Sequence, residues 1–446
     1  MLQRTGALAE DDPRIRVFPR EPNFESYEPL SEATVAARLA ALPGMGRRLG
    51  GEPSGWDVRE VGDGNLNYVY IVTGPDGSVC VKQALPYVRL VGEGWPLPLS
   101  RSFYEHAALV REAHDASPSE GAAGVPAILH FEPGQALIVM ENLGRHIIWR
   151  KALIARQSHG TAPRRLGRFM AETLFRSSDL ALEPGVKKSE AALFAGNVEI
   201  CRISEDLIFT DPYREHELNR HTPGLEDVVR AIRADGEWKR AIQTLKWDFM
   251  CRSEALLHGD LHSGSVMVSD PGPDEDVRVI DSEFAFYGPM GFDVGATIAN
   301  LMLNYCAQPG HGEGAGAFQA WLLDAVEDLW GAFGDRFGEL WRTERGGTAF
   351  VPALFEQQDD GNESEALLRE RLAVIERDAI GFAGAKMARR ILGLAHVEDL
   401  ESLPEDRRLP CERHALRLAR EMIVERDGFG GVGAIRERAA ATAKED

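Results

Sequence analysis

Cysteine is scarce in this chain, and each one stands alone. The five cysteines, at positions 80, 201, 251, 306 and 411 of 446, are odd in number and lack paired metal-ligand spacing, which argues against a disulfide scaffold and fits reduced thiols in a cytosol. No apolar run is long enough to span a bilayer, and the opening MLQRTGALAEDDPRIRV has no apolar core of signal-peptide type. The expected compartment is therefore cytoplasmic, with no membrane partner. Cations are outnumbered too: 50 Lys and Arg against 70 Asp and Glu leave a net charge of −20. Phosphate backbones are bound by cationic faces, so nucleic acid is not an expected partner. ATP is not excluded, because its phosphates need only a few local cations and a metal. What the chain does have is 44% apolar and 27% charged residues, the balance of a soluble globular protein, and length enough for two lobes.

The stretch that carries chemistry is His258-Gly259-Asp260-Leu261-His262-Ser263-Gly264-Ser265, followed by Asp281-Ser282-Glu283. Transfer of the terminal phosphoryl group of ATP needs one acid to orient and relieve the attacking hydroxyl and others to hold magnesium on the phosphates. This stretch offers both. Asp260 lies in a Gly-bounded loop after an apolar run, and 266–268 and 277–280 read as strands joined by a Pro/Gly/Asp turn. Such a hairpin brings Asp260 and Asp281 to one end of a sheet. Taken singly, an Asp in such a loop is more often a turn or cap residue. His-x-Asp-x-His also groups three potential ligands of a metal-dependent phosphohydrolase. A third histidine in a similar setting is lacking, so His258 and His262 are read as residues that hold the loop in shape.

In chain order, residues 1–30 are polar and Pro-bearing, an expected extended arm. Ser31 caps a helix through Ala41. Strands follow at 56–61, 68–72 and 79–82, separated by Gly62 to Asn67 and by Gly74-Pro75-Asp76-Gly77, and predict an antiparallel sheet. The Gly/Asn loop can cover phosphates with backbone N–H groups, with Asn67 adding a side-chain contact. Lys82, at the end of the third strand, can neutralise the α- and β-phosphates if a carboxylate holds it; Glu105, in the helical run 102–110, is the candidate partner. Alone, these are a hairpin loop and a surface lysine. Residues 91–98 read as a loop whose Trp95 either packs over a ligand or plugs the core. The apolar strand 136–140 breaks at Glu141-Asn142-Leu143-Gly144, a hinge able to present backbone groups to adenine. The lobe boundary is placed there, giving an ATP-binding lobe at 31–141 and a catalytic and substrate-binding lobe at 142–446.

Beyond it the pattern is helical. Leu166, Phe169, Met170, Thr173 and Leu174 form one apolar stripe, and Trp238, Ile242, Leu245 and Phe249 another. Residues 183–222 read as an insertion of uncertain structure. A helix opens at Gly291 and runs to about Tyr305, with Asp293 near its start as a cap or a brace for the catalytic loop. Later helices are expected at 317–333, 365–395 and 412–427. The middle one carries Arg389 and Arg390 beside apolar neighbours. Either one of them turns toward an anion or a hydroxyl-rich ligand, or they form a surface pair.

These residues resemble the aminoglycoside-phosphotransferase branch of the protein-kinase-like fold. The strings GDGNLNYVYIV, VKQALPYVRLVGEGWPL, VMENLGRH, HGDLHSGS, EFAFYGPMGFDVGATIANL and RRILGLAHVEDL resemble the 5-methylthioribose kinase family, from roughly Val61 to Leu400. The resemblance implies an α+β, two-lobed fold, with an antiparallel sheet in a small first lobe and a larger, mostly helical second one. It also implies magnesium-dependent transfer from ATP to the 1-hydroxyl of 5-methylthioribose in methionine salvage, by a commonly homodimeric enzyme. Carried over by motif, Asp260 is the base and contacts the sugar hydroxyls, and Arg389 and Arg390 face sugar and phosphate. Asn67, Lys82 and the Glu141-Asn142-Leu143 hinge bind ATP, while Asp281 and Glu283, flanking Ser282, hold magnesium and the phosphates. Two residues depart from expectation: Ser265 stands where the wider fold has a metal-binding Asn, and Ser282 where the branch usually has proline. A sibling kinase for aminoglycosides, choline or homoserine would share the ATP side, and a non-catalytic nucleotide-binding protein would keep the fold without turnover.

Overall fold

The computed structural model describes residues 24, 26–62, 66–89, 92–355 and 362–444. Most of the expected arm and residues 63–65 of the Gly/Asn loop lie outside these. The β-rich first part builds a five-stranded antiparallel sheet in the order Asp57–Glu60, Asn67–Thr73, Ser78–Ala84, Leu137–Glu141, Ile128–Glu132. Side chains alternate across a strand. Val79 and Val81 therefore join Tyr70, Val72, Leu137 and Val139 against Val35 and Leu39 of the helix Glu32–Ala40, whereas Lys82 points to the opposite face. There it meets the helix Arg101–Asp115. The last residues of the arm are fastened to the end of the central strand: Leu30 N–H donates to Gln83 Oε1 at 2.7 Å and the Tyr27 hydroxyl to the Ala84 carbonyl at 2.9 Å.

After Glu141 the strand pairing changes partners. Ile147–Ile148 pairs with Val266–Val268, which pairs in turn with Val277–Val279, while Ala255–Leu257 pairs with Phe286–Gly288. Residues 258–265 and 280–285 are thus two connections between the same two small sheets. This is why two acidic segments some twenty residues apart come to lie side by side.

The remainder is helical. Gly291–Ala307 is buried along its whole length and packs on Asn362–Leu392. The approach depends on glycine: a Cβ at Gly295 would stand 2.5 Å from the Ala379 carbonyl oxygen, and one at Gly291 2.8 Å from the Ala379 nitrogen. The close crossing brings the C-terminal half of the long helix up to the 258–265 loop. The stripes expected at 166–174 and 238–249 lie in the helices Ala162–Arg176 and Gly236–Cys251 and face the core.

Four stretches add to the expected elements or differ from them. The supposed insertion holds two helices, Pro184–Phe194 and Val198–Phe209; the second hides a buried stripe of Ile200, Ser204, Leu207 and Ile208 among its charges. Strand Ile128–Glu132, half-buried throughout, was not foreseen because it lacks a clean alternation. Residues 92–96 form a short strand paired with Tyr87–Val88, and Trp95 packs in part against Val88, Leu97 and Ile200. The three late helices run further than expected at their N-termini, as Ala315–Thr343, Asn362–Leu392 and Glu405–Val424.

Candidate active site

Lys82 is the meeting point of the two parts. Its ammonium lies 2.6 Å from Glu105 Oε1 and is also paired with Asp281 Oδ1. Burial works against this charge, but the carboxylates of Asp281, Glu105 and Glu283 outweigh it and hold the ammonium above the range of a free lysine. Burial also pushes Glu105 up to about 7, with Lys82 opposing. Two carboxylates pair with the ammonium and a third acts on it from nearby, so the lysine keeps its proton.

Glu283 is buried and held by Asn67 Nδ2 at 3.0 Å and by Arg101 Nε at 3.3 Å. Arg101 itself is fully buried; its guanidinium donates to the carbonyls of Leu85 at 2.5 Å and Leu66 at 2.6 Å and to Asn67 Oδ1 at 3.1 Å. It binds the edge of the Gly/Asn loop to the second acid of the Asp281-Ser282-Glu283 turn. The turn's backbone is left-handed at Asp281, with φ of 75°, a conformation that Asp tolerates better than most residues. Where a proline ring would stiffen the turn, the Ser282 hydroxyl donates to buried Glu112 Oε2 at 2.8 Å, tying the turn to the helix Arg101–Asp115.

The catalytic loop is shaped by its neighbours. His258 and Gly259 N–H groups donate to Asp293 Oδ2 and Oδ1 at 2.7 and 3.0 Å, so Asp293 is the brace that its place at a helix start suggested. His258 Nε2 donates to the Ile280 carbonyl at 2.9 Å, and Ile280 N–H donates to the Ser265 carbonyl at 3.0 Å. These bonds join the loop directly to the residue before Asp281. Ser265 Oγ donates to the Asp260 carbonyl at 3.1 Å, and His262 Nδ1 accepts from Gly264 N–H at 3.0 Å. Both histidines are thereby occupied in bracing the loop. Gly259 has φ of +85°, and a Cβ there would stand 2.1 Å from the Phe284 carbonyl oxygen.

Asp260 faces three cations, Lys386, Arg389 and Arg390, and the imidazole of His262, which burial holds well below its usual range. Lys386 Nζ lies 2.5 Å from Oδ1 and His262 Nε2 3.4 Å from Oδ2. Burial pushes the carboxyl up, but Lys386, His262, Arg390 and Arg389 reverse this and hold it well below the usual carboxylate range. Arg389 and Arg390 are both buried, at 9% and 8% exposure, which rules out the surface pair. At the expected hinge, Glu141 N–H donates to the Ala127 carbonyl at 2.8 Å, Asn142 Nδ2 donates to Ser78 Oγ at 2.9 Å, and Leu143 is buried.

Three further residues of this neighbourhood escaped the sequence. Arg101 had a signal, since a cation in the first turn of a helix opposes the helix dipole and needs a reason. Lys386 lies three residues before Arg389 in a stretch that is otherwise apolar, which is also a signal. Arg150 had none: it donates to Asn300 Oδ1 at 3.0 Å and lies 3.3 Å from buried Asp399.

An ionised, largely covered aspartate beside a cationic cluster, on a loop hydrogen-bonded to the segment whose Asp281 shares a lysine with Glu105, describes a phosphotransferase. The model of the phosphotransferase enzyme family matches residues 57–339, and the molecule has that class's α+β, two-lobed, protein-kinase-like fold. Over 422 aligned residues, 92% of this chain and 95% of the relative, it is 41% identical to methylthioribose kinase 1 of Oryza sativa subsp. japonica. It is 40% identical over 92% of its length to the methylthioribose kinase of Escherichia coli O45:K1 (strain S88 / ExPEC), 96% of which is covered. The chain belongs to the methylthioribose kinase family. Among solved structures, a choline kinase from Cryptosporidium parvum Iowa II aligns over 89% of this chain and 97% of its own at 12% identity, with a TM-score of 0.42, too slight a likeness to bear on activity.

Proposed function

We propose that this protein transfers the γ-phosphoryl group of ATP to the 1-hydroxyl of 5-methylthioribose, giving 5-methylthioribose 1-phosphate in methionine salvage. The observation that carries this is the 41% identity to a methylthioribose kinase over 92% of the chain. So long an alignment necessarily takes in both the lysine strand and the arginine helix, and hence the ATP side and the acceptor side together. Lys82, held by Glu105, neutralises the α- and β-phosphates, with Asn67 and the Glu141-Asn142-Leu143 hinge placing the nucleotide. Asp260 takes the proton of the 1-hydroxyl as its oxygen bonds to phosphorus and the bond to the ADP oxygen breaks. Arg389 and Arg390 face the sugar and the new phosphate ester.

Magnesium suits the donors present. Asp281 and Glu283 offer hard carboxylate oxygens on one short turn. This is the pattern for an ion held by one or two carboxylates and substrate phosphates rather than by a protein cage. When bound, the ion would offset phosphate charge; Asp281 and Glu283 would hold it, with Ser282 shaping their turn. The reading extends to an arm at 1–30, an ATP-binding lobe at 31–141, a substrate lobe at 142–446, a cytoplasmic homodimer and no nucleic-acid partner. No helix among the described residues is long and apolar enough to cross a membrane.

An ADP-release assay with methylthioribose, choline, homoserine and kanamycin, with and without magnesium, tests the proposal. Turnover is expected with methylthioribose and magnesium. Faster turnover of another acceptor would move the protein to a sibling specificity, and ATP-independent phosphate release would favour a hydrolase.

A further inference from the structure

The proposed reaction needs a base, and Asp260 does not stand alone. The helix Asn362–Leu392 presents Lys386, Arg389 and Arg390 at spacing i, i+3, i+4, hence on one face. Of these, Lys386 touches the carboxylate itself, with Nζ 2.5 Å from Oδ1 and a side chain only 4% exposed. The ammonium is fixed from a second side, 4.8 Å above the Phe292 ring. With Lys386 4% and Asp260 17% exposed, the pair is largely removed from water, and such an ion pair is a poor device for stability alone, because desolvation offsets the attraction.

We propose that Lys386 is a positioning residue for the base: its ammonium occupies Oδ1 of Asp260 and thereby leaves Oδ2, from which His262 Nε2 stands off at 3.4 Å, as the oxygen that receives the acceptor's proton. This rests on the kinase reading above. In the step itself, the hydroxyl proton passes to Oδ2, the hydroxyl oxygen forms the new O–P bond, and the electron pair of the cleaved O–P bond leaves on ADP. Asp260 becomes neutral, and the charge of Lys386, until then matched, is freed beside the new phosphate ester. The same helix carries Arg389 and Arg390, so the groups that face the acceptor and the group that aims the base move as one body.

The charges around the pair agree with this geometry. Lys386 is the largest of the influences lowering Asp260, ahead of His262, Arg390 and Arg389. Lys386 in turn is brought down to about 8 by burial, with Asp260 opposing and Arg389 and Arg390 adding to the fall. Asp293 is the other carboxylate within its influence.

The test compares wild type with Lys386→Met and Lys386→Gln, reading kcat, both KM values and the pH dependence of kcat, using whichever acceptor the wild-type protein phosphorylates. A failed substrate assignment therefore leaves this test standing. Both variants should lose about 100-fold or more in kcat, within the range a positioned base supplies, with KM for ATP nearly unchanged. The wild-type profile should fall as pH rises through about 8, where Lys386 loses its proton; in the variants that fall disappears and the acid limb moves to higher pH than in wild type, as burial acts on Asp260 with only His262, Arg390 and Arg389 opposing it. Equal loss at every pH, unchanged kcat, or loss of the cooperative thermal transition in both variants would each overturn the proposal and leave a lysine that serves packing.

Discussion

At the scale of single residues, the site divides into charges that a motif reveals and charges that only folding brings in. Lys82, Asp260, Asp281 and Glu283 were legible because each sits in a short pattern whose chemistry is local. Lys386 was not, since it lies 126 residues from the aspartate it holds, and Arg101 serves a glutamate far along the chain. Asp260→Asn should lower kcat by about 10²- to 10⁴-fold while ATP still binds, measured by ADP release and by calorimetric titration of nucleotide. Near-wild-type turnover would remove Asp260 from the role of base. Lys82→Ala acts differently: it strips the cation from buried Glu105, and breaking a buried pair typically costs about 3–5 kcal/mol. It should raise KM for ATP more than it changes KM for the acceptor, and it should lower the urea midpoint.

At the scale of elements, strands and apolar stripes were readable from periodicity, and the segment 183–222 was not. Its helices expose charges on most sides, and the stripe of Ile200, Leu207 and Ile208 is too sparse to stand out before its neighbours are known. The brace on the catalytic loop was readable in kind, because an acid at a helix start seeks N–H donors. Its donors turned out to belong to another segment, the backbone of His258 and Gly259. Asp293→Ala would leave both N–H groups buried without an acceptor, at about 1–3 kcal/mol each. The expected outcome is a lower thermal midpoint together with a loss of kcat larger than any change in KM for ATP. A kcat equal to wild type would show that the loop keeps its shape unaided.

At the scale of the whole molecule, the two-lobed arrangement followed from the switch between strand and helix texture, whereas the crossing of Gly291–Ala307 on Asn362–Leu392 did not. That crossing depends on missing side chains at Gly291 and Gly295, a matter of shape that spacing does not encode. Stability should also carry a mark of distant burial. Glu412 accepts from Thr222 Oγ1 at 3.0 Å, and burial pushes its carboxyl from 4.5 up to about 7. The folded protein then binds a proton that the unfolded chain has released, so stability falls as pH rises from about 4.5 to 7. Glu412→Gln should flatten that part of the curve of Tm against pH; an unchanged slope would place the titration elsewhere.

Arg101 on Glu283 has a last consequence. On the proposed magnesium reading, the guanidinium already balances the charge of the acid that would grip the ion, so the fold does not lean on a cation from solution at that point. A chelator should therefore leave the melting temperature where it was, although it silences nucleotide binding; a melting point that drops on chelation would mean that Glu283 depends on an outside cation after all.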